Sequence, residues 1–152
     1  MIPISLAALL LVFAHMVGRV KYLLGGKAPS LDCDTSQISE IDCSGFVRYA
    51  IAKATNQRLI LPDGSAAQRE WCERQGLRKV AYTNAATLAD PSRIFICFIT
   101  ASHSGAIGHV WILIGGKTYE SHGGGVGVSS RAWNTPVLIG NVSACYEMPA
   151  AA

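Results

Sequence analysis

Two residues, Cys43 and His109, have the types and settings to do chemistry together. Cys43 lies in Ile41-Asp42-Cys43-Ser44-Gly45-Phe46-Val47, where a polar stretch gives way to apolar residues at helical spacing: Phe46, Val47, Ala50, Ile51 and Ala54. Asp42 is a good N-cap, which leaves Cys43 in the first helical turn. There the unsatisfied backbone N–H groups and the positive end of the helix dipole favour a thiolate over a thiol. Gly45, lacking a side chain, lets another backbone or a substrate come close to the start of that helix.

His109 opens a second pattern, Gly108-His109-Val110-Trp111-Ile112-Leu113-Ile114, which reads as a strand with its histidine at the end. An imidazole within hydrogen-bond reach of a cysteine accepts the thiol proton and later returns it to a leaving amine. A third polar group is then needed to orient the ring. Beyond the Gly115-Gly116 hairpin turn, Glu120 and His122 lie on one face of the next strand and Ser121 on the other, because side chains alternate along a strand. Both Glu120 and His122 fit the spacing.

The elements that must hold these residues are read from the rest of the chain. The 152 residues are expected to form one domain, 1–152, with a core of ordinary size; hydrophobic residues make up 50% and charged residues 15%. The apolar run 2–17 is too short for a membrane span and lacks the basic start and cleavage pattern of a signal peptide. It reads as the first helix, buried over much of its surface and ending near Gly18. A polar loop follows, then the Cys43 helix, a Pro62-Asp63-Gly64 turn and a helix over roughly 66–75 capped by Gly64 or Ser65. Strands are expected at 80–82, 93–100 (buried on both faces), 107–114, 117–122, 126–129, 136–139 and 143–148, with 85–91 a turn and 103–106 a loop. Helices first and an antiparallel sheet after make an α+β fold.

Net charge is +3, with no Lys/Arg cluster of the kind that nucleic acid requires, so no nucleic-acid partner is expected. Five cysteines and four histidines show no metal-ligand spacing, and neither a metal nor a cofactor is expected. Cys97 sits in an apolar run and reads as core. Cys33, Cys72 and Cys145 flank loops or chain ends and read as the better disulfide candidates in an oxidising compartment.

With Asp42-Cys43-Ser44-Gly45-Phe46-Val47 and Gly108-His109-Val110-x-Ile112 in place, the chain resembles the NlpC/P60 family of papain-like cysteine peptidases that cut bacterial peptidoglycan peptides. Tyr22-Leu23-Leu24-Gly25-Gly26 looks like that family's Tyr-x-x-Gly-Gly segment, Leu61-Pro62 through Gln68 like the stretch after its helix, and Gly124 to Ser129 like its Gly-Val element. The resemblance implies a papain-like fold with N-terminal helices packed on a central antiparallel sheet. It further implies Cys43 as nucleophile, His109 as base and Glu120 as the preferred third residue, with His122 the alternative. Tyr22, Asp42, Ser44 and His122 match or adjoin substrate-pocket positions, and Asp42 could receive a free amine of a stem peptide. The expected partners are peptidoglycan stem peptides in the cell envelope, with a delivery system or inhibitor protein not readable from sequence, and a monomer is expected. The loop from Gly26 to Cys43 is longer than usual and carries Cys33, and Ala89-Asp90-Pro91-Ser92-Arg93-Ile94 replaces the family's Gly-Asp-Leu. Two other readings keep the same residues: a thiol acyltransferase or lipid-ester hydrolase with an apolar cleft, and a cell-wall-binding module without turnover.

Overall fold

The computed structural model describes residues 1–104 and 108–151. Helix α1 (Leu6–Met16) starts later than its apolar run, because the Ser5 hydroxyl caps the Ala8 N–H at 3.1 Å. Before it, Ile4 is extended and bridges Ala150, donating to the Pro149 carbonyl and accepting from the Ala151 N–H. Leu9, Val12, Phe13 and Met16 face the core while Leu10 and Leu11 face solvent, so the run is amphipathic rather than buried all round.

Strand β1 (Lys21–Tyr22) pairs in parallel with β2 (Glu40–Ile41), which sets Tyr22 opposite the residue before Asp42. The loop between them holds a single 3-10 turn, Thr35–Gln37, closed by a capping box from Asp34. Helix α2 (Cys43–Ala54) then runs through the middle of the molecule with Phe46, Val47, Ala50 and Ile51 fully buried. Burying each of the larger of these side chains contributes about 2 kcal/mol. Helix α3 (Ser65–Arg74) begins after Gly64, whose φ of +89° suits glycine. From α3, the buried Gln68 amide donates to the carbonyls of Ser44 and Pro62, both at 3.0 Å, and ties α3 to the first turn of α2.

The short helix α4 (Ala85–Leu88), capped by Asn84, occupies the stretch read as a turn. Next come β3 (Ile94–Ile99), the one-turn α5 (Ala101–Ser104), β4 (His109–Ile114), β5 (Lys117–His122), β6 (Gly127–Ser129), α6 (Pro136–Asn141) and β7 (Ala144–Met148). Residues 105–107, and with them parts of the expected 103–106 loop and 107–114 strand, lie outside the described residues. The five strands form one antiparallel sheet in the order β6-β5-β4-β3-β7. Residues 136–139 are helical rather than extended: Thr135 caps the Leu138 N–H and Pro136 sits at the first helical position, where its missing N–H is no loss. Residues 80–82 form no strand; the contact there is a single bridge from Lys79 to Tyr146.

One face of the sheet packs Ile96, Phe98, Val110 and Ile112 with the residues of α1 and α2, and the other packs Phe95, Cys97, Trp111 and Leu113 with Leu88 and Leu138. That accounts for β3 being buried at all six positions. Cys145 lies directly across from Cys97, with the sulfurs 3.1 Å apart, so it belongs to the core and not to a loop edge. All five cysteines are buried free thiols, Cys33 and Cys72 among them. Burial pushes the Cys72 thiol up to about 12 and that of Cys97 well above its ordinary value.

The edge strand β6 meets β1 where Gly127 has a φ of +74°, and a Cβ there would overlap the Val20 carbonyl oxygen and come within 3.0 Å of Lys21 Cα. Both neighbours are backbone and cannot rotate away. Replacing Gly127 with alanine is therefore expected to cost about 2 kcal/mol or more, read as a lowered urea midpoint at unchanged m-value.

Candidate functional site

Asp42 is the N-cap of α2, and its Oδ1 accepts the Gly45 N–H at 2.6 Å. The thiol of Cys43 therefore stands at the positive end of a twelve-residue helix, and the residue is 7% exposed. Opposite it, the His109 imidazole reaches from the first residue of β4, near enough to Cys43 for the two groups to interact electrostatically, and is hydrogen-bonded to Glu120. Its Nε2 lies 2.8 Å from Glu120 Oε1, which leaves Nδ1 for the thiol. The ring also stacks on Trp111, the next residue on the same face of β4, with centroids 5.6 Å apart and planes 27° from parallel.

Glu120 is wholly buried on β5, where an ionised carboxylate needs compensation. It receives that from Arg131, whose Nε donates to Oε2 and Nη2 to Oε1, each at 2.9 Å, and from the Thr118 hydroxyl. Burial alone would raise the Glu120 pKa, but its hydrogen bonds to His109, Arg131 and Thr118 outweigh that and hold it at about 2. The same opposition acts on His109. Burial would lower its pKa, and the interactions with Cys43 and Glu120 instead raise it from 6.5 to about 9. A raised folded-state pKa makes the imidazolium a source of stability that is complete below about pH 6.5 and is lost as pH rises through about 9.

Between the two sequence candidates for the third position, it is Glu120 that contacts the imidazole. His122 lies edge-on to His109 with ring centroids 6.2 Å apart, and burial lowers its pKa, so it is neutral beside the imidazolium. Ser121 points the other way, as strand alternation predicts, and its hydroxyl donates to the Ile41 carbonyl at 2.7 Å. That bond fixes β5 against the residue that leads into Asp42 and Cys43.

Tyr22 is within electrostatic reach of Cys43 and Asp42; burial first, and then those two groups, raise its pKa and keep the phenol neutral. It lines a groove of about 450 Å³ with Lys21 and residues Gly123 to Gly127. Ser44 is buried, with its hydroxyl 3.4 Å from Asp42 Oδ1. Asp42 itself carries a partner that sequence reading missed, for Lys27 Nζ lies 2.8 Å from Oδ2 and 3.0 Å from Oδ1. Arg131 was missed as well. Each is a charged residue in a polar segment, separated by 15 and 11 positions from the carboxylate it meets, and neither spacing has a local signature. Among the described residues, no group of three or more His, Cys, Asp or Glu is arranged to hold a metal ion.

A cysteine at a helix N-terminus, beside an imidazole that a buried carboxylate orients, can form a thiolate–imidazolium pair and attack an electron-poor carbon. The ion cluster behind the imidazole makes a prediction independent of any substrate. Arg131→Met should destabilise the fold by about 3 kcal/mol in urea unfolding, because it strands a buried charge. In a Glu120→Gln background the same change should cost about 1 kcal/mol, since no charge is left to strand.

The chain is similar in structure to an NlpC/P60 family protein of Bacillus cereus, with a TM-score of 0.66 and 20% identity over 95% of this chain and 41% of that one. A lipoprotein-like NLP/P60 family protein of Staphylococcus aureus gives a TM-score of 0.63 and 18% identity over 96% of this chain. The present chain covers 42% of the length of that structure. RipD of Mycobacterium tuberculosis, described as a non-catalytic NlpC/p60 domain protein adapted to peptidoglycan binding, matches with a TM-score of 0.56 and 19% identity over 93% of this chain and 95% of that one. No curated protein matches the sequence. The sequence model of the NlpC/P60 family matches residues 18–142, a span that holds Cys43, His109, Glu120 and Arg131, and the chain belongs to that family.

Proposed function

We propose that this protein is a cysteine hydrolase that cuts an amide bond in the peptide part of bacterial peptidoglycan, acting in the cell envelope. The observation that carries the reading is Cys43 at the N-terminus of α2 beside His109, whose Nε2 is hydrogen-bonded to Glu120, with Glu120 ionised and clamped by Arg131. The family is associated with peptidoglycan, which supplies the substrate class.

In this mechanism His109 holds the proton of Cys43, and the thiolate sulfur bonds to the carbonyl carbon of the scissile amide. The negative oxygen that results lies toward the backbone N–H of Cys43, which has no acceptor within the helix. Collapse breaks the C–N bond as the imidazolium gives its proton to the departing nitrogen, leaving a thioester on Cys43 and a free amine. Water then gives a proton to the neutral imidazole as its oxygen bonds to the thioester carbon. Loss of the thiolate releases a carboxylic acid and restores the ion pair. Glu120 stays ionised throughout, orienting Nε2 and stabilising the imidazolium.

A reading as a peptidoglycan-binding module without turnover is favoured by one observation, the similarity to RipD, which is described as non-catalytic. The acyltransferase or lipid-ester reading keeps Cys43 and His109 and takes a thioester or lipid ester as its substrate; the groove beside Tyr22, which Val126 also lines, gives it an apolar surface to bind.

Mass spectrometry of peptidoglycan fragments decides among these. Wild-type protein is expected to release defined peptide products, and Cys43→Ala to release none. A folded wild-type protein that binds fragments without cutting them would transfer the reading to the binding module. Because the departing nitrogen needs a protonated His109, turnover should fall as pH rises through about 9, the value to which His109 is raised. Glu120→Gln should move that fall to lower pH and reduce kcat roughly a hundredfold or more.

A further inference from the structure

Two thiols that the mechanism does not use lie side by side in the sheet. Cys97 on β3 and Cys145 on β7 are register partners, and their sulfurs are 3.1 Å apart. The Val80 N–H donates to the Cys145 carbonyl at 2.9 Å, which turns the backbone polar groups of Cys145 away from β3. Cys97 and Cys145 are therefore a non-hydrogen-bonded pair, the kind in which facing Cα atoms come to about 4.5 Å and the side chains meet most closely. That spacing is within the range a disulfide spans. Both residues pack on the sheet face of Phe95, Trp111 and Leu113, whereas Cys33, Cys43 and Cys72 pack on the opposite face. The sheet thus makes each of the two thiols the other's partner and keeps the nucleophile out of their reach.

We propose that Cys97 and Cys145 are a covalent modification site: in an oxidising compartment they join as a disulfide that staples β7 to β3. Only the oxidising surroundings rest on the envelope location proposed above; the geometry does not. The oxidant is a small-molecule or protein disulfide. One cysteine thiolate attacks it, forming a mixed disulfide and releasing one thiol, and the second cysteine thiolate then attacks the sulfur of the first and releases the other. The chain loses two electrons and two protons, and the oxidant, reduced to two thiols, takes up both. Burial holds the Cys97 thiol protonated in the folded chain, so the exchange belongs to folding, while the sulfurs are still open to the oxidant. The bridge joins positions 48 apart, and closing so long a loop restricts the unfolded chain and so favours the folded one. It also lies in line with the site. On β4 the register partner of Cys97 is Trp111, the ring on which His109 stacks.

The test is to refold the reduced full chain from urea in two buffers, one with oxidised and reduced glutathione and one with dithiothreitol. Remaining thiols are blocked with excess N-ethylmaleimide in urea before trypsin digestion. Cleavage after Arg93, Lys117 and Arg131 puts Cys97 in residues 94–117 and Cys145 in residues 132–152, each as the only cysteine of its peptide. The glutathione-refolded protein should yield these two peptides joined in most of the folded fraction, and dithiothreitol should separate them. Its thermal midpoint should stand at least about 5 °C above that of the protein refolded in reductant. Cys145→Ala should give no bridge to Cys97 and the same midpoint in both buffers. The proposal is overturned if both peptides of the folded, glutathione-treated protein carry the maleimide, if either is bridged to Cys33, Cys43 or Cys72, or if the bridged protein melts no higher than the reduced one. If Cys145→Ala does not fold, the wild-type peptide map and midpoints decide. None of these readouts uses turnover, so a chain that cuts no peptidoglycan fails the hydrolase reading without changing this result.

Discussion

The constraint on which the site depends is a negative charge kept inside the protein. Glu120 has no exposed surface, and an isolated carboxylate in that position would take up a proton. His109, Arg131 and Thr118 together prevent this, and Arg131 is itself fixed: its N–H donates to Thr118 Oγ1 at 3.1 Å, while its carbonyl accepts the Thr118 N–H at 2.8 Å. The cluster therefore requires the segment after β6 to fold back along β5. β6 in turn depends on Gly127 passing β1 at backbone contact. Edge-strand geometry and the protonation state of His109 are in this sense one problem.

Strand alternation does the rest of the positioning. On β5, Glu120 points toward His109 and Arg131, while the adjacent Ser121 points through the sheet to the Ile41 carbonyl. Two neighbouring residues of one strand thus set the imidazole from one side and the start of α2 from the other. The separation between thiol and ring is then governed by the pleat, which tolerates little adjustment. The aromatic stack of Phe13 on Tyr119, with centroids 4.4 Å apart, holds the same strand against α1.

Much of this was legible in the sequence because it is local. The Asp42 cap, the apolar face of α2, the continuous run of β3 and the two-glycine turn before β5 are each written within a few consecutive residues. The contact of Glu120 with His109 was half legible: alternation placed Glu120 and His122 on one face but could not choose between them, since the choice depends on which one Arg131 reaches. Lys27 and Arg131 were illegible for the same reason, because a charged residue in a polar segment ordinarily faces water and only its distant partner shows otherwise. Cys145 was misplaced because a position near the chain end says nothing about the strand it pairs with, and here that strand is the most buried in the molecule. Residues 136–139 resemble a strand in composition, but the Thr135 cap and Pro136 set the local backbone first.

The arrangement of charge also bears on whether the cleft turns substrate over or only holds it. A binding surface gains affinity from polar groups that reach the ligand. Glu120 is wholly buried, so its carboxylate has no direct route to a ligand, and Nε and Nη2 of the partly exposed Arg131 are spent on it. Burying such a carboxylate, even with its partner, is at best about neutral for stability compared with well-packed apolar side chains. It connects toward Cys43 through the His109 ring, whose state it sets by holding Nε2 and favouring the imidazolium. A chain that used the cleft for binding alone would gain nothing from controlling that proton, whereas acyl transfer to Cys43 requires the proton to leave the sulfur and arrive at the departing nitrogen. The buried carboxylate is thus a feature that the proposed hydrolysis would use and that simple binding would not require.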